Sequence, residues 1–556
     1  MISVRPARIR LPVPASATAA RAERNTVLAV LAAVLLLQLE LVFNRPVNWD
    51  EFYHLSQVHA LHQGRMSEVL QVLHIRALGW VALLPLDEIG QIRVARLVMF
   101  AFEAFTLIAI YAMARHFAQG RIALLGPLLY LAAGNVFQHG MSFRADPLVT
   151  ALLMGALWLL LVSKLGWNAL GAIAALVALA GLATIKAVLI APAFAGLAWY
   201  RMAQSKQPKG LAARLTGTAI LTALLFAALV AASQAITPPA PTDSAAATVK
   251  ASRDMLLAEG LFPRWHYLLL AIGTAPLFAL AFGAALARPR LGRDSRIALI
   301  GLILPLASVV FYRNAYPYFY AFILAPVAVG IVPGIAWLAR RYTAKTVALG
   351  CLLGAVILSI STPRAVLAEQ RQVLSEVHRV MPSRVAYFDF SGMVSAFPKS
   401  NVFMTTWGQT RYRNGETESY AAAMERLNVP LLLANNEVLQ RNQSAEGPAW
   451  ELLPADAAAL RAGYVQHWGP IWVAGRRFVK GSATQDFSIH ADGLYRLEGA
   501  AALIDGKRME RGWTMTLAKG NHRFAPLSGD ETVLRWGDYL PRPAAAPPVG
   551  IPFKDF

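Results

Sequence analysis

An acidic pair, Asp50 and Glu51, carries the clearest chemical signal in this sequence. His54 follows four residues after Asp50, so in a helix both side chains share one face. Such an arrangement suits a general base, or a cation site for which Glu51 and His54 are the candidate ligands. The structural alternative is a helix start, where acidic residues cap the first turn and complement the helix dipole. The spacing alone leaves both interpretations open.

Three basic residues, Arg144, Lys186 and Arg313, lie close to the ends of apolar runs. Arg144 could bind a phosphate group at a membrane surface, and Lys186 is either a phosphate ligand or a turn residue whose ammonium reaches water. Arg313 is notable because it lies on the outer side, against the charge bias of the loops. Asp146 precedes Pro147 and fits the N-cap of a helix, which explains it without chemistry. Tyr316 belongs to a tyrosine-rich stretch that is also typical of an interfacial aromatic belt.

These side chains must be positioned by the rest of the chain, whose composition indicates an integral membrane protein. Of 556 residues, 56% are hydrophobic and only 15% are charged, whereas soluble domains carry about 25% charged residues. The net charge of +20 comes from short basic clusters between apolar runs. That pattern is typical of cytoplasmic loops and argues against nucleic-acid binding. The single cysteine, Cys351, excludes an intramolecular disulfide and a multi-cysteine metal centre.

The apolar runs predict about eleven membrane-spanning helices, each needing about 20 residues. They are 27–43, 93–115, 122–138, 147–163, 168–185, 187–200, 215–236, 266–287, 297–312, 318–339 and 344–361. With the basic N-terminus 1–26 in the cytoplasm, nearly all basic clusters between helices fall on that side. The outer face then receives loop 44–92, in which residues 68–73 suggest an interfacial amphipathic helix, and everything after residue 361.

The transmembrane part covers residues 27–361. The region after it has ordinary polarity, which predicts a periplasmic domain. We expect an α/β lobe over 362–482 and a small β-sandwich over 483–540. Within them, 384–388 and 429–433 are predicted strands, 420–427 is a predicted helix, and Asp505-Gly506 is a hairpin signal. The tail 541–556 is rich in proline, and we expect it to be poorly ordered.

These features together resemble the GT-C superfamily of membrane glycosyltransferases that use lipid-phosphate sugars. Within it, residues 25–361 resemble the branch of the protein mannosyltransferases and aminoarabinose transferases. The resemblance rests on Asp50-Glu51 with His54, on Arg144-Ala145-Asp146, and on the segments 181–186 and 316–318. It implies a GT-C-like helical bundle with an outward-facing C-terminal domain.

The resemblance also implies roles for the singled-out residues. Asp50 would accept the proton of the acceptor hydroxyl, while Glu51 would orient the acceptor or help to hold a cation. Arg144, Lys186 and Arg313 would bind the departing phosphate, and His54, Asp146 and Tyr316 would orient the acceptor. Inversion at the anomeric carbon is expected, because a single carboxylate acts directly.

The implied partners are a polyprenyl-phosphate sugar donor, membrane lipid, and an acceptor that is a glycan, a lipid or a protein. No cofactor is required by the sequence, and a divalent cation is the one candidate. The expected location is the bacterial inner membrane, with the C-terminal domain in the periplasm. The alternative is a transporter or flippase of lipid-linked sugars, which needs a similar bundle but no base on the outer loop.

Overall fold

The computed structural model describes residues 17–66, 72–236, 256, 260–287, 291–444 and 447–553. The predicted amphipathic segment 68–73 therefore lies largely outside the described residues. The helices of the membrane part are α1 (Ala17–Asn44), α2 (Trp49–His62), α3 (Leu73–Ala77), α4 (Glu88–Phe117), α5 (Arg121–Leu131), α6 (Gly134–His139), α7 (Ala145–Val162), α8 (Trp167–Ala183), α9 (Ala191–Ala203), α10 (Pro208–Ile236), α11 (Trp265–Gly273), α12 (Pro276–Ala287), α13 (Arg293–Ile303), α14 (Pro317–Gly330), α15 (Val332–Tyr342) and α16 (Ala344–Ile360). Short 3₁₀ turns at Gly79–Leu83, Ile185–Ile190 and Leu304–Val310 connect some of them.

Each predicted apolar run falls largely on helical structure, but not each is one long helix. Among the described residues, six helices are long and apolar enough to cross a membrane, or up to eight if two bent pairs are single spans. The bends are 98° between α11 and α12 and 72° between α14 and α15. A proline lies in the first turn after each break, where its missing N–H removes a bond to the preceding helix. The count of eleven spans is not confirmed.

Helix α14 is the centre of the bundle, because all of its residues are buried. It packs against α4, α5, α6, α7 and α13. A helix that is apolar on every side is expected in such a central position. Tyr316 is its N-cap and is half-buried, and Tyr318 in its first turn is buried, so neither tyrosine lies on a fully exposed surface.

The remaining residues form a mixed α/β domain. Its helices are α17 (Arg364–Val380), α18 (Thr406–Arg413), α19 (Tyr420–Arg426), α20 (Glu437–Gln443) and α21 (Pro454–Gly463). Its strands are β1 (Tyr387–Phe388), β2 (Leu431–Leu433), β3 (Tyr464–Trp468), β4 (Ile471–Phe478), β5 (Gln485–Ile489), β6 (Gly493–Gly499), β7 (Ala502–Ile504), β8 (Lys507–Met509), β9 (Thr514–Leu517), β10 (Gly520–Pro526) and β11 (Thr532–Trp536).

Two sheets organise this domain. The larger has the order β1-β2-β4-β11-β6-β9, with β3 also paired to β4, and the smaller has the order β5-β10-β7-β8. All pairs are antiparallel except β1 with β2. Because β11 pairs with β4, the larger sheet runs across residue 482 and joins both predicted lobes. The hairpin at Asp505-Gly506 is confirmed: both residues have positive φ, as the tight turn between β7 and β8 requires.

The domain packs onto the membrane part through α17. The buried amide of Gln370 accepts from the Val47 N–H at 2.9 Å and donates to the Val47 and Pro552 carbonyls at 2.7 and 2.9 Å. The expectation of a poorly ordered tail is therefore wrong for residues 541–553. These residues lie against the domain, and Phe553 is buried beside Phe52 with a ring separation of 5.9 Å.

A close backbone crossing of α9 and α13 gives the first testable prediction. A Cβ on Gly301 would lie 2.7 Å from the Gly196 Cα and 2.9 Å from the Pro192 carbonyl oxygen. We expect Gly301→Ala to destabilise the bundle by about 1–3 kcal/mol, because the helices must separate. The melting temperature in detergent measures this. Gly171→Ala on α8 is the control, since its Cβ would meet nothing within 4 Å; equal melting temperatures for both variants would contradict the prediction.

Candidate active site

Helix α2 positions the predicted acidic pair. Asn48 is its N-cap and accepts from the Asp50 N–H at 3.0 Å, and the Glu51 carboxylate in turn accepts from the Asn48 N–H at 3.1 Å. This reciprocal capping box explains why the helix begins at Trp49. Since 49–62 is helical, Asp50 and His54 share one face, as the spacing predicted.

Glu51 is fully buried and forms an ion pair with Arg96 of α4. Arg96 Nε lies 2.8 Å from one carboxylate oxygen, which also accepts from the Phe143 N–H at 2.8 Å. Burial by itself would raise the pKa of Glu51, but the charge and hydrogen bonds of Arg96 outweigh it and hold the pKa below its ordinary value. Glu51 therefore joins α2, α4 and the segment before α7.

Asp50, Arg144, Asp146 and Lys186 form a continuous chain of ion pairs in that order. Arg144 bonds to the Asp50 carboxylate and lies 3.3 Å from Asp146, whose other oxygen accepts from Lys186. Two acids and two bases thus alternate in a mostly buried position, where Asp50 is the most exposed, with 16% of its side chain accessible. The structure brings these four predicted residues together.

Asp146 is not the N-cap of α7, so that part of the sequence interpretation is wrong. The N-cap position is Arg144, with no side-chain cap, and Asp146 lies in the first turn. Its carboxylate bonds to Arg144 and Lys186 rather than to free N–H groups at the helix start. Lys186 is brought there because α8 ends at Ala183 and a 3₁₀ turn follows.

Tyrosines from the first turn of α14 cover Arg144. Its guanidinium carbon lies 3.5 Å from the ring centre of Tyr318, a distance suited to a cation–π contact. The Tyr316 and Tyr318 rings lie 5.8 Å apart, and the Tyr316 hydroxyl accepts from Arg264 at 2.6 Å. Tyr316 is therefore one ring removed from the ion-pair chain. The sequence analysis included Tyr318 in the segment 316–318 but gave it no role, and it did not single out Arg264.

Arg313 lies in the turn before α14, half-buried, and its N–H donates to the Leu256 carbonyl at 3.4 Å. Its predicted role in phosphate binding remains a prediction.

His54 contacts a second histidine, His74 of α3, which the sequence analysis did not single out. The His54 Nδ1 and His74 Nε2 atoms lie 3.2 Å apart, and both rings border Phe143. Burial, followed by the other imidazole and by the charges of Arg144 and Lys186, holds the pKa of His54 well below its ordinary value. Burial and Arg144 lower the pKa of His74 to about 3. Both imidazoles are therefore neutral at pH 7.

The candidate cation site is not supported by these contacts. Both oxygens of Glu51 already accept from Arg96 and from backbone N–H groups, so a cation would have to displace Arg96. Across the described part of the chain, no three His, Cys, Asp or Glu side chains converge as metal ligands.

The C-terminal domain forms one wall beside Asp50. Phe403 stacks on Tyr53 of α2 with ring centres 4.4 Å apart, and Phe390 lies 5.6 Å from Trp49. The Ser395 hydroxyl lies 3.4 Å from the Phe52 carbonyl. The candidate site therefore lies between the membrane helices and this domain.

The buried Glu51–Arg96 pair gives the second prediction. We expect Glu51→Gln to lower stability by about 3 kcal/mol, because Arg96 then keeps a buried charge without its partner. The melting temperature and the folded yield in detergent measure this. Replacing both residues (Glu51→Gln with Arg96→Met) removes the isolated charge and should recover part of the loss. A double variant that is less stable than Glu51→Gln would contradict this explanation.

Comparison with solved structures identifies the fold of this chain. No model of a protein family matches this sequence, and no curated protein matches it either. Among solved structures, the chain is similar to ArnT from Cupriavidus metallidurans bound to undecaprenyl phosphate, with a TM-score of 0.53 and 16% identity. That match covers 70% of this chain and 88% of ArnT.

A second similar structure is the oligosaccharyltransferase of Archaeoglobus fulgidus in its apo form. The TM-score is 0.51 at 10% identity, and the match covers 90% of this chain and 96% of that one. Both proteins are GT-C membrane glycosyltransferases. The chain therefore has the GT-C fold, which confirms the fold that the sequence resemblance predicted.

Proposed function

We propose that this chain is an inverting glycosyltransferase that moves a sugar from a polyprenyl-phosphate donor to an envelope acceptor at the periplasmic face. The observation that carries the proposal is the ion-pair chain from Asp50 through Arg144 and Asp146 to Lys186. It puts one partly exposed carboxylate next to two cations at the edge of a helical bundle. A base beside a phosphate subsite is what sugar transfer from a lipid phosphate requires.

The proposed reaction uses the carboxylate at one end of the ion-pair chain and the two cations further along it. The acceptor hydroxyl attacks the anomeric carbon and its proton goes to Asp50. The bond between that carbon and the phosphate oxygen breaks, and its electron pair stays on the phosphate. Arg144 and Lys186 stabilise the growing negative charge. A bound phosphate offers both cations an anion in place of Asp50 and Asp146, which releases the Asp50 carboxylate to act as base.

The donor class is supported by the surroundings of the cations. Lys186 lies in the 3₁₀ turn between α8 and α9, two residues from the exposed Val188, and a prenyl tail would find a hydrophobic path along exposed apolar side chains of this kind. ArnT, whose structure contains undecaprenyl phosphate, shares the fold. The acceptor would enter from the wall formed by α2 and the C-terminal domain. We also propose that the protein lies in the bacterial inner membrane with this site on the periplasmic side, and that Arg313 helps to bind the phosphate.

The catalytic role of Asp50 gives the third prediction. Asp50→Asn keeps the size of the side chain but removes the base, so the rate of sugar transfer should fall by at least about 100-fold. Transfer from a polyprenyl-phosphate sugar to envelope glycolipid is followed by mass spectrometry. Asp486→Asn, at an exposed position on β5, is the matched control. Full activity of Asp50→Asn would refute the role of Asp50 as base. A wild-type protein that moves the lipid across the membrane but transfers no sugar would favour the transporter alternative.

The cation subsite gives the fourth prediction. Lys186→Met should weaken binding of undecaprenyl phosphate by about 10-fold or more, because a charged hydrogen-bond donor is lost. Lys345→Met, at an exposed position on α16, is the control. Direct binding of the lipid to the purified protein measures both. Equal affinities of the two variants would place the phosphate elsewhere.

A further inference from the structure

The His54–His74 pair borders the ion-pair chain but has no part in the proposed chemistry. His74 is only 2% exposed, and its Nδ1 atom is buried without a hydrogen-bond partner among the described residues. Buried polar atoms nearly always have a partner in folded proteins. An unsatisfied imidazole nitrogen next to a reaction site therefore points to a ligand group or to an ordered water.

The location of the pair narrows the class of ligand. His54 lies one helical turn after Asp50, and Phe143, which both rings border, directly precedes Arg144. A donor whose phosphate replaces Asp50 as the partner of Arg144, and whose anomeric carbon is attacked near Asp50, places its sugar ring beside this ion pair. His54 is one helical turn from Asp50 and His74 contacts it, so both imidazoles are close to that position. This argument rests on the proposed function.

The chemistry of the pair fits a hydroxyl group. Each neutral imidazole has one N–H donor and one acceptor nitrogen, and the contact between the rings uses one of each. One outer nitrogen of the pair is then a donor and the other an acceptor, in either tautomeric arrangement. A sugar hydroxyl also both donates and accepts, whereas a phosphate would be bound better by the neighbouring cations.

We propose that His74, held by His54, binds a hydroxyl of the transferred sugar through Nδ1 and thereby contributes to the choice of donor. His54 is the positioning residue, because its bond to Nε2 fixes the orientation of the His74 ring and leaves Nδ1 available to the sugar. Polar groups of this kind discriminate strongly between sugars, since a sugar without the matching hydroxyl leaves a buried nitrogen unpaired.

The fifth prediction separates the sugar from the phosphate. Binding is measured for bare undecaprenyl phosphate and for undecaprenyl phosphate carrying glucose, mannose or arabinose. For the sugar lipid that wild type binds most tightly, His74→Gln should weaken binding about fivefold. The glutamine amide lies near the position of Nε2 and can still contact His54, but no group replaces Nδ1, so the bond to the sugar is lost. Binding of the bare lipid should stay within about twofold, as expected when no bond is lost.

His74→Asn is the matched variant, since its amide lies near the position of Nδ1 and should retain most of the sugar-dependent affinity. If His74→Gln lost equal affinity for the bare and the sugar-bearing lipids, or lost none for either, the inference would be overturned. The same holds if wild type binds the sugar-bearing lipids no more tightly than the bare lipid. Sugar transfer is assayed separately. A wild type that binds the lipids but transfers no sugar would contradict the proposed function while the His74 comparison still stands.

Discussion

The buried ion pair between Glu51 and Arg96 is the contact on which the candidate site depends. Arg96 also donates to the Arg45 and Pro46 carbonyls at 3.0 and 2.9 Å, where the chain passes from α1 to α2. The same carboxylate holds the Phe143 N–H directly before Arg144. Two segments far apart in sequence are thereby fixed relative to each other, and the distance between Asp50 and Arg144 follows from that. Because a buried ion pair often contributes little net stability, the role that we assign to this pair is a geometric one.

The four-residue chain beside it has no net charge, and this matters in a poorly hydrated place. An isolated ammonium or guanidinium near the hydrocarbon region is costly, so Arg144 and Lys186 need their carboxylate partners while no anion is bound. In the function that we propose, the acids take the place of a phosphate until the donor binds. They keep the cations charged and oriented, so an arriving anion would exchange one set of partners for another instead of creating a new charged site.

Much of this arrangement could be predicted from local sequence. The helical spacing of Asp50 and His54 and the turn at Asp505-Gly506 are set by residues that are close in the chain, and both are confirmed. The fold class also followed from the apolar runs and the short motifs between them. Helix count was less predictable, because the breaks between α11 and α12 and between α14 and α15 depend on packing as well as on proline.

The partners of the site residues could not be predicted, for a physical reason. Arg96 lies within an apolar run and its pairing with Glu51 spans 45 positions of sequence, which no local pattern encodes. Tyr318 and His74 are likewise selected by tertiary packing. Asp146 shows the opposite error: its sequence context is that of an N-cap, but two nearby cations compete for its carboxylate more strongly than the helix N–H groups do.

The contacts of Gln370 have a consequence for how the protein is made. This one amide bonds to Val47, at the entrance of α2, and to Pro552, more than five hundred positions later. The surroundings of α2 are thus incomplete on the nascent chain until the last described residues have left the ribosome. The helix that carries Asp50 is among the first to be synthesised, yet it is among the last to reach its final environment.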